Sequence, residues 1–231
     1  MEPEQGESGA DAPPRRRRRS KRGGRKPRVR HHVNPLGFVQ AAPLPTLAQL
    51  FARPDLPLEV DVGSMHGEFV LELAERDPGG NFLGLEIRAP LVDEVMQRAR
   101  RRGLPNVAAV LCNANEAFAR LFAPGSLRAV YVHFPDPWFK NRHRKRRLVT
   151  REFLDDVARA LAPGGVFRFL SDVESYAALV RALVEAHPAF EGASPQGALE
   201  VPDEGRVLTN REAWHLRRGD PIHRWRWRRR A

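Results

Sequence analysis

The chain has 231 residues, 26.1 kDa and 42% hydrophobic residues, enough for one domain with tails and too many for disorder throughout. Its 39 Lys and Arg outnumber its 28 Asp and Glu, for a net charge of +11 and a pI of about 11.0; that excess points to a polyanionic partner and says nothing of fold. The single Cys112 excludes an intramolecular disulfide framework, and no apolar run reaches the ~18 residues of a membrane span. No apolar core follows the N-terminal charges as a secretory signal requires, so a soluble, cytoplasmic protein is expected.

Residues 1–33 carry eleven Lys/Arg against four Asp/Glu, a net +7, and offer nothing to bury. They read as a disordered basic arm, either a solubilising tail or a nucleic-acid arm. The domain then occupies 34–231. Leu58 to Val62 is a short β-branched run closed by Gly63. Residues 66–77 have helical spacing, with Phe69, Val70, Leu73 and Ala74 on one face. Asn81 to Ile87 is a second strand, 89–102 a second amphipathic helix, Val107 to Cys112 a third strand and 114–122 a short helix. A fourth strand runs from Leu127 to Phe134. A helix from Thr150 to Leu161 is stopped by Pro163-Gly164-Gly165, and a fifth strand, Val166 to Leu170, leads to a helix over 173–186. This alternation predicts a doubly wound α/β domain, a mostly parallel sheet with helices on both faces. Residues 191–208 read as a Gly/Pro/Ser-rich loop. Thr209 and Glu212 have the spacing of a capping box opening a helix that Gly219 stops. Pro221 to Trp227 reads as a final edge strand.

In such a sheet, ligands sit beyond the carboxyl ends of the strands. The first strand ends in Asp61-Val-Gly-Ser-Met-His-Gly67, where Gly63 and Gly67 allow a tight turn and close backbone approach. The loop alone also suits a plain strand-to-helix junction. Glu86 lies 23 residues after Gly63 at the end of the second strand. A carboxylate at about that spacing accepts hydrogen bonds from ribose hydroxyls, so loop and acid together favour a nucleoside-containing cofactor over a solvated strand end. Asn113, after the third strand, has an amide suited to an adenine edge, while Cys112 reads as a small buried hydrophobe.

After the fourth strand comes Phe134-Pro-Asp-Pro-Trp-Phe-Lys-Asn-Arg-His-Arg-Lys-Arg-Arg147. Pro135 and Pro137 fix two φ angles and restrict their predecessors, holding Asp136 in a stiff turn at the ligand edge. Six of the eight residues 140–147 are Lys or Arg, and Trp138 is adjacent. An aromatic beside a basic run is a single-strand nucleic-acid recipe, and it is preferred here over a merely solvated loop. His31, His32, His133 and His143 are scattered and lack metal-ligand spacing, so no metal is expected.

From about Arg28 to Trp225 the chain resembles the tRNA (guanine-N7)-methyltransferase family, a class of S-adenosylmethionine-dependent enzymes with a Rossmann-like fold. The resemblance is carried by Arg30-His-His-Val-Asn-Pro-Leu36, the glycine loop, Gly84-Leu-Glu86, Asn113-Ala114, the F-P-D-P-W block with its R-H-x-K-R-R extension, Ser171-Asp172 and Thr209-x-x-Glu212. It implies methyl transfer from S-adenosyl-L-methionine to N7 of a guanine in tRNA, in the variable loop at tRNA position 46. It further implies Asp61, Gly63, Gly67, Glu86, Asn113 and Asp136 at the cofactor, and Asp136 as the catalytic residue. Substrate contacts are implied at Lys140, Asp172, Thr209, Asn210, Arg211 and Glu212. The chain departs from the family's E-x-G-x-G-x-G loop, with Asp61 for Glu and Met65 for the middle Gly, and it has Arg211 where an aromatic is usual.

Three other readings compete. A non-catalytic RNA-binding protein on a degenerate methyltransferase fold finds support in Asp61 and Met65 and opposition in Glu86, Asn113 and Asp136. A small-molecule methyltransferase does not explain the basic block. A nicotinamide oxidoreductase lacks its G-x-G-x-x-G.

Overall fold

A computed structural model of the chain describes residues 33–196 and 207–231. Seven helices and seven strands alternate: α1 Leu47–Leu50, β1 Leu58–Val62, α2 Glu68–Arg76, β2 Asn81–Glu86, α3 Ala89–Arg102, β3 Val107–Leu111, α4 Ala114–Leu121, β4 Leu127–His133, α5 Arg151–Ala160, β5 Leu161–Ser171, α6 Glu174–Glu185, β6 Phe190–Gln196, α7 Asn210–Arg218 and β7 His223–Arg229. They build one sheet in the order β3-β2-β1-β4-β5-β7-β6. Strands β1 to β5 pair in parallel, and β7 runs antiparallel to both β5 and β6. The doubly wound, mostly parallel sheet expected from the alternation is therefore present. The order reverses between β1 and β4, which opens a crevice at their carboxyl ends.

The two-residue period of a strand explains the layers. On β2 and β3, Phe82, Val107 and Ala109 face Val70, Leu71, Ala74, Val95 and Ala99 of α2 and α3. Their neighbours Leu83, Leu85, Ala108 and Val110 join the larger core with Phe118, Phe153, Val157 and Val180 from α4, α5 and α6. On β1 and β4 the α2-side positions turn polar. Tyr131 donates its hydroxyl to Glu59 at 2.7 Å, Arg128 pairs with Glu59 at 2.7 Å, and Phe69 meets the rings of Tyr131 and His133 edge-on.

Four sequence expectations need correction. Part of the expected loop at 191–208 is strand β6, and 197–206 lie outside the described residues. Gly and Pro weaken local strand propensity, but pairing with β7 overrides it. Gly192 at φ +65° sits at a register shift opposite β7, and Pro195 is tolerated because β6 is the edge. Strand β7, expected at the edge, is inserted between β5 and β6. Strand β5 begins at Leu161, earlier than Val166, so α5 ends at Ala160, short of Pro163. The capping box of α7 is half made: the Thr209 hydroxyl accepts from the Glu212 N–H at 3.0 Å, but the Glu212 carboxylate turns inward to Arg224. The basic arm expected over 1–33 falls, apart from Val33, outside the described residues.

Candidate active site

The crevice at the strand ends holds a cavity of about 380 Å³, walled by Gly63, Met65, Glu86, Arg88, Asn113, His133, Phe134, Asp136, Trp138, Arg146 and Arg211 among others. Three of these, Met65, Phe134 and Trp138, have φ of +51°, +50° and +43°. They are the non-glycine residues with positive φ among the described residues, and left-handed backbone of this kind persists only where its surroundings enforce it. Their gathering at one cavity makes it the candidate functional site.

The β1–α2 turn is built by close approach. Gly63 has φ +84° with open space where a Cβ would stand, whereas a Cβ on Gly67 would meet Val95 Cγ2 at 2.6 Å. The turn is tied to β2 by the Met65 N–H, which donates to Glu86 Oε2 at 3.0 Å. Glu86 is buried. Its Oε1 accepts from the N–H groups of Ile87 and Arg88 at 2.9 and 3.1 Å, and the Arg88 guanidinium adds bonds of 2.8 and 3.0 Å. Asp61, on the neighbouring strand β1, is about as deeply buried and less well served. Its Oδ1 lies 3.5 Å from His133 Nδ1 and accepts no hydrogen bond among the described residues. Burial, and then the neighbouring Glu86 charge, push its carboxyl up to about 7. The same two causes push Cys112 up to about 12, which keeps it an unreactive thiol.

The Asp136 turn is rigid for reasons beyond its prolines. The Phe134 N–H is held by the Leu170 carbonyl at 2.8 Å. Arg147 Nε donates to the Pro137 carbonyl at 2.8 Å while its guanidinium lies 5.4 Å from the Tyr176 ring centre. The last arginine of the basic block is thus a clasp for the turn, correcting the expectation that the whole cluster faces phosphate. Arg146 instead stacks over Trp138 at 5.0 Å in the cavity wall. Lys140, Arg142, Arg144 and Lys145 are exposed around a 3-10 turn over Asn141–Arg146.

A family model described as "Putative methyltransferase" matches residues 55–225. A tRNA (guanine-N(7)-)-methyltransferase of Trichormus variabilis is 41% identical over 202 residues, covering 85% of this chain and 94% of the relative. One of the same name from Thermosynechococcus vestitus is 40% identical over 200 residues, covering 86% and 93%. The chain belongs to the tRNA (guanine-N7)-methyltransferase family. Solved structures agree at the level of fold. An rRNA methylase from Streptococcus thermophilus superposes with a TM-score of 0.51 at 13% identity, over 77% of this chain and 89% of that one. The aminoglycoside resistance methyltransferase NpmB1 gives 0.50 at 20% identity, over 75% and 87%.

The methyltransferase cavity gathers Gly63, Glu86, Asn113, Asp136 and Arg211 from the expected residues, with Asp61 against its His133 wall. Asn113 is already engaged: it caps α4 through Asn115, and its amide donates to the Pro35 carbonyl at 3.3 Å and to Glu116 at 2.9 Å. Gly67 packs under α3 rather than lining the cavity. Lys140 and Asn210 are exposed outside its walls, and Thr209 caps α7. Asp172 pairs with Arg211 at 2.6 Å and His215 at 3.2 Å. Glu212 is fully buried, with Arg224 Nε at 2.8 Å and Arg168 at 3.9 Å, so in this structure it anchors α7 rather than facing a ligand. Sequence reasoning missed His133, Arg88, Phe134 and the Pro35 turn as cavity walls. The signal for His133 was its place as the last residue of β4, opposite the acid-bearing strand.

Proposed function

We propose that this chain methylates N7 of a guanine in the variable loop of tRNA, at tRNA position 46, with Asp136 at the reacting base. The observation that carries the reading is a shared cavity: Asp136, on its stiff turn, lines the same space as Gly63, Glu86 and Asn113, with Arg146 and Arg211 in the wall.

The residues present fit S-adenosyl-L-methionine. The open face of Gly63 leaves room for a ligand against backbone. The unsatisfied Oδ1 of Asp61 calls for a donor, and an amino group carrying positive charge is the kind that repays its burial. Glu86 lines the cavity, and its carboxylate already accepts from the Met65, Ile87 and Arg88 N–H groups and the Arg88 guanidinium, so ribose hydroxyls would take the place of that guanidinium there. Asp61 and Met65, the family departures, leave this cradle intact, which weighs against a degenerate binding module.

When bound, S-adenosyl-L-methionine supplies an electrophilic methyl group on a sulfonium. Guanine N7 carries a lone pair and no proton, so the chain needs no general base. What its residues contribute is alignment and the exclusion of water. As positive charge arrives on the guanine ring, the Asp136 carboxylate stabilises it, and the prolines and Arg147 keep that carboxylate in place. Arg146 and the exposed cations of the 3-10 turn hold phosphates.

Aniline cleavage after borohydride reduction maps N7-methylguanine in tRNA. Incubation with protein and cofactor is expected to create a cut at the variable-loop guanine. A cut elsewhere would overturn the position, and uncut tRNA would overturn the activity.

A further inference from the structure

Six large hydrophobic side chains are exposed among the described residues, and two are aromatic: Phe139 at 68% and Trp214 at 47%. Each stands one step outside the cavity. Phe139 follows the wall residue Trp138 in the chain, and Trp214 is one helical turn beyond the wall residue Arg211. Both rings stay exposed although the same fold buries Trp227 and half-buries Trp225. Their exposure costs apolar surface in water, and it falls where a substrate must pass.

The surroundings of Trp214 are ordered. The Arg218 guanidinium lies 4.6 Å from its ring centre and is itself held by Asp220 at 2.9 Å. The Trp214 ring meets His215 edge-on at 4.7 Å, and His215 stacks on Phe134 at 5.7 Å and 21°. His215 is hydrogen-bonded through Nδ1 to Asp220 at 3.3 Å, with Asp172 3.2 Å from its Nε2. A continuous series of rings therefore runs from the cavity wall at Phe134 to the surface at Trp214, each fixed by charged neighbours. Phe139 directly precedes the exposed cations Lys140, Arg142, Arg144 and Lys145 in the chain. An exposed aromatic beside cations, held as Trp214 is by Arg218, offers a π-face and a positive field together, which matches a nucleotide, whereas an apolar protein surface would be poorly served by so many charges.

We infer that Trp214, backed by Arg218, and Phe139 are stacking platforms for the nucleotides that flank the target guanine. The inference rests on the proposed tRNA reading and deepens it. To enter a cavity of about 380 Å³, the target base must leave its own stack, which strands its neighbours without partners. Platforms at the rim return that stacking and favour the extruded state. Because the Trp214 ring is held in advance by Arg218 and His215, little of its conformational freedom is lost on binding.

The test compares the full chain with Trp214→Ala, Phe139→Ala, Trp214→Phe and Phe139→Tyr. The probe is an unmodified tRNA transcript, with binding measured by fluorescence anisotropy across a salt series. Each alanine variant is expected to bind about 5- to 100-fold more weakly. The slope of log K against log salt should stay unchanged, because no charge is removed. The aromatic replacements should recover affinity to within about 3-fold. Alanine variants that bind within about 2-fold of wild type would overturn the inference and leave the rings to a protein partner. A changed salt slope would overturn it by showing that the cations had been disturbed. Failure of the wild-type chain to bind or methylate the transcript would instead overturn the underlying tRNA reading.

Discussion

The proposed cofactor end of the cavity and its proposed nucleic-acid rim are built on opposite terms. At the first, Asp61 and Glu86 are 4% and 2% exposed, and Glu86 is served by backbone N–H groups and a single guanidinium while Asp61 Oδ1 accepts no hydrogen bond among the described residues. At the second, Lys140, Arg142, Arg144 and Arg217 stand in water, and the Arg211 side chain is 54% exposed even while paired with Asp172. Buried charge is strong, pH-sensitive and costly to disturb. Exposed charge is weak per contact, screened by salt and free to adapt to a large partner. The difference teaches that a mutation's signature should report which end it touched.

The sharpest test is Glu212, because it carries buried-charge physics to the nucleic-acid side. Glu212→Ala leaves Arg224 and Arg168 beneath α7 without their carboxylate. A loss of about 3–5 kcal/mol is expected, a fall in Tm of roughly 10 °C or more by calorimetry. A stable variant with weakened tRNA binding would make Glu212 a ligand contact after all. Asp136→Asn keeps shape and removes charge. Single-turnover rates with saturating cofactor should fall about 10²–10³-fold, roughly 3–4 kcal/mol, while both binding constants hold. Affinity falling with the rate would mean that Asp136 grips the guanine edge.

Glu86→Ala should weaken cofactor binding about ten- to a hundred-fold, from roughly 1.5–3 kcal/mol of charge-assisted hydrogen bonding, and leave tRNA affinity alone; calorimetry beside anisotropy separates the two. Asp61 makes the cofactor end pH-dependent. Its carboxyl is raised to about 7, so the free protein holds a proton there below that pH. A cationic ligand group favours the ionised form, so affinity should rise with pH and level off above about 7. At pH 6 it should be weaker by about tenfold, or 1.4 kcal/mol. Asp61→Asn should flatten that profile. The same shift has the opposite sign for folding: the native state binds the proton more tightly than the unfolded chain, so this group's contribution to stability declines from about pH 4 to 7. The smallest effect is expected at Met65, whose φ of +51° suits glycine. Met65→Gly should raise Tm by a few degrees, equivalent to about 1 kcal/mol or less, and an unchanged or lower Tm would show that the strain is repaid by side-chain contacts.

What the sequence revealed of this contrast follows the range of the forces involved. Strands β1 to β4 and their helices were legible because each carries its own period, and Gly63, Glu86 and Asp136 because they stand at strand ends that topology brings together. Strand β6 was not, since Gly192 and Pro195 argue against a strand and only pairing with β7 makes one. The inward turn of Glu212 and the clasp made by Arg147 escaped notice because each depends on a partner across the fold, Arg224 in one case and the Pro137 carbonyl in the other. Charge runs look alike in sequence whether their members meet solvent or a carbonyl.

The position of β7 between β5 and β6 also dictates an order of events during synthesis. Among the described residues strand β6 hydrogen-bonds to β7 alone, so until β7 is made none of the other described strands receives it. About 33 further residues separate Gln196 from the end of β7 at Arg229, a wait of roughly 2–7 s at ordinary elongation rates. Over that interval β5 is an open edge and the face that will receive Trp227 is bare. Until β7 is made the growing sheet can hold no more than β1 to β5, with the crevice between β1 and β4 framed ahead of the sheet's completion.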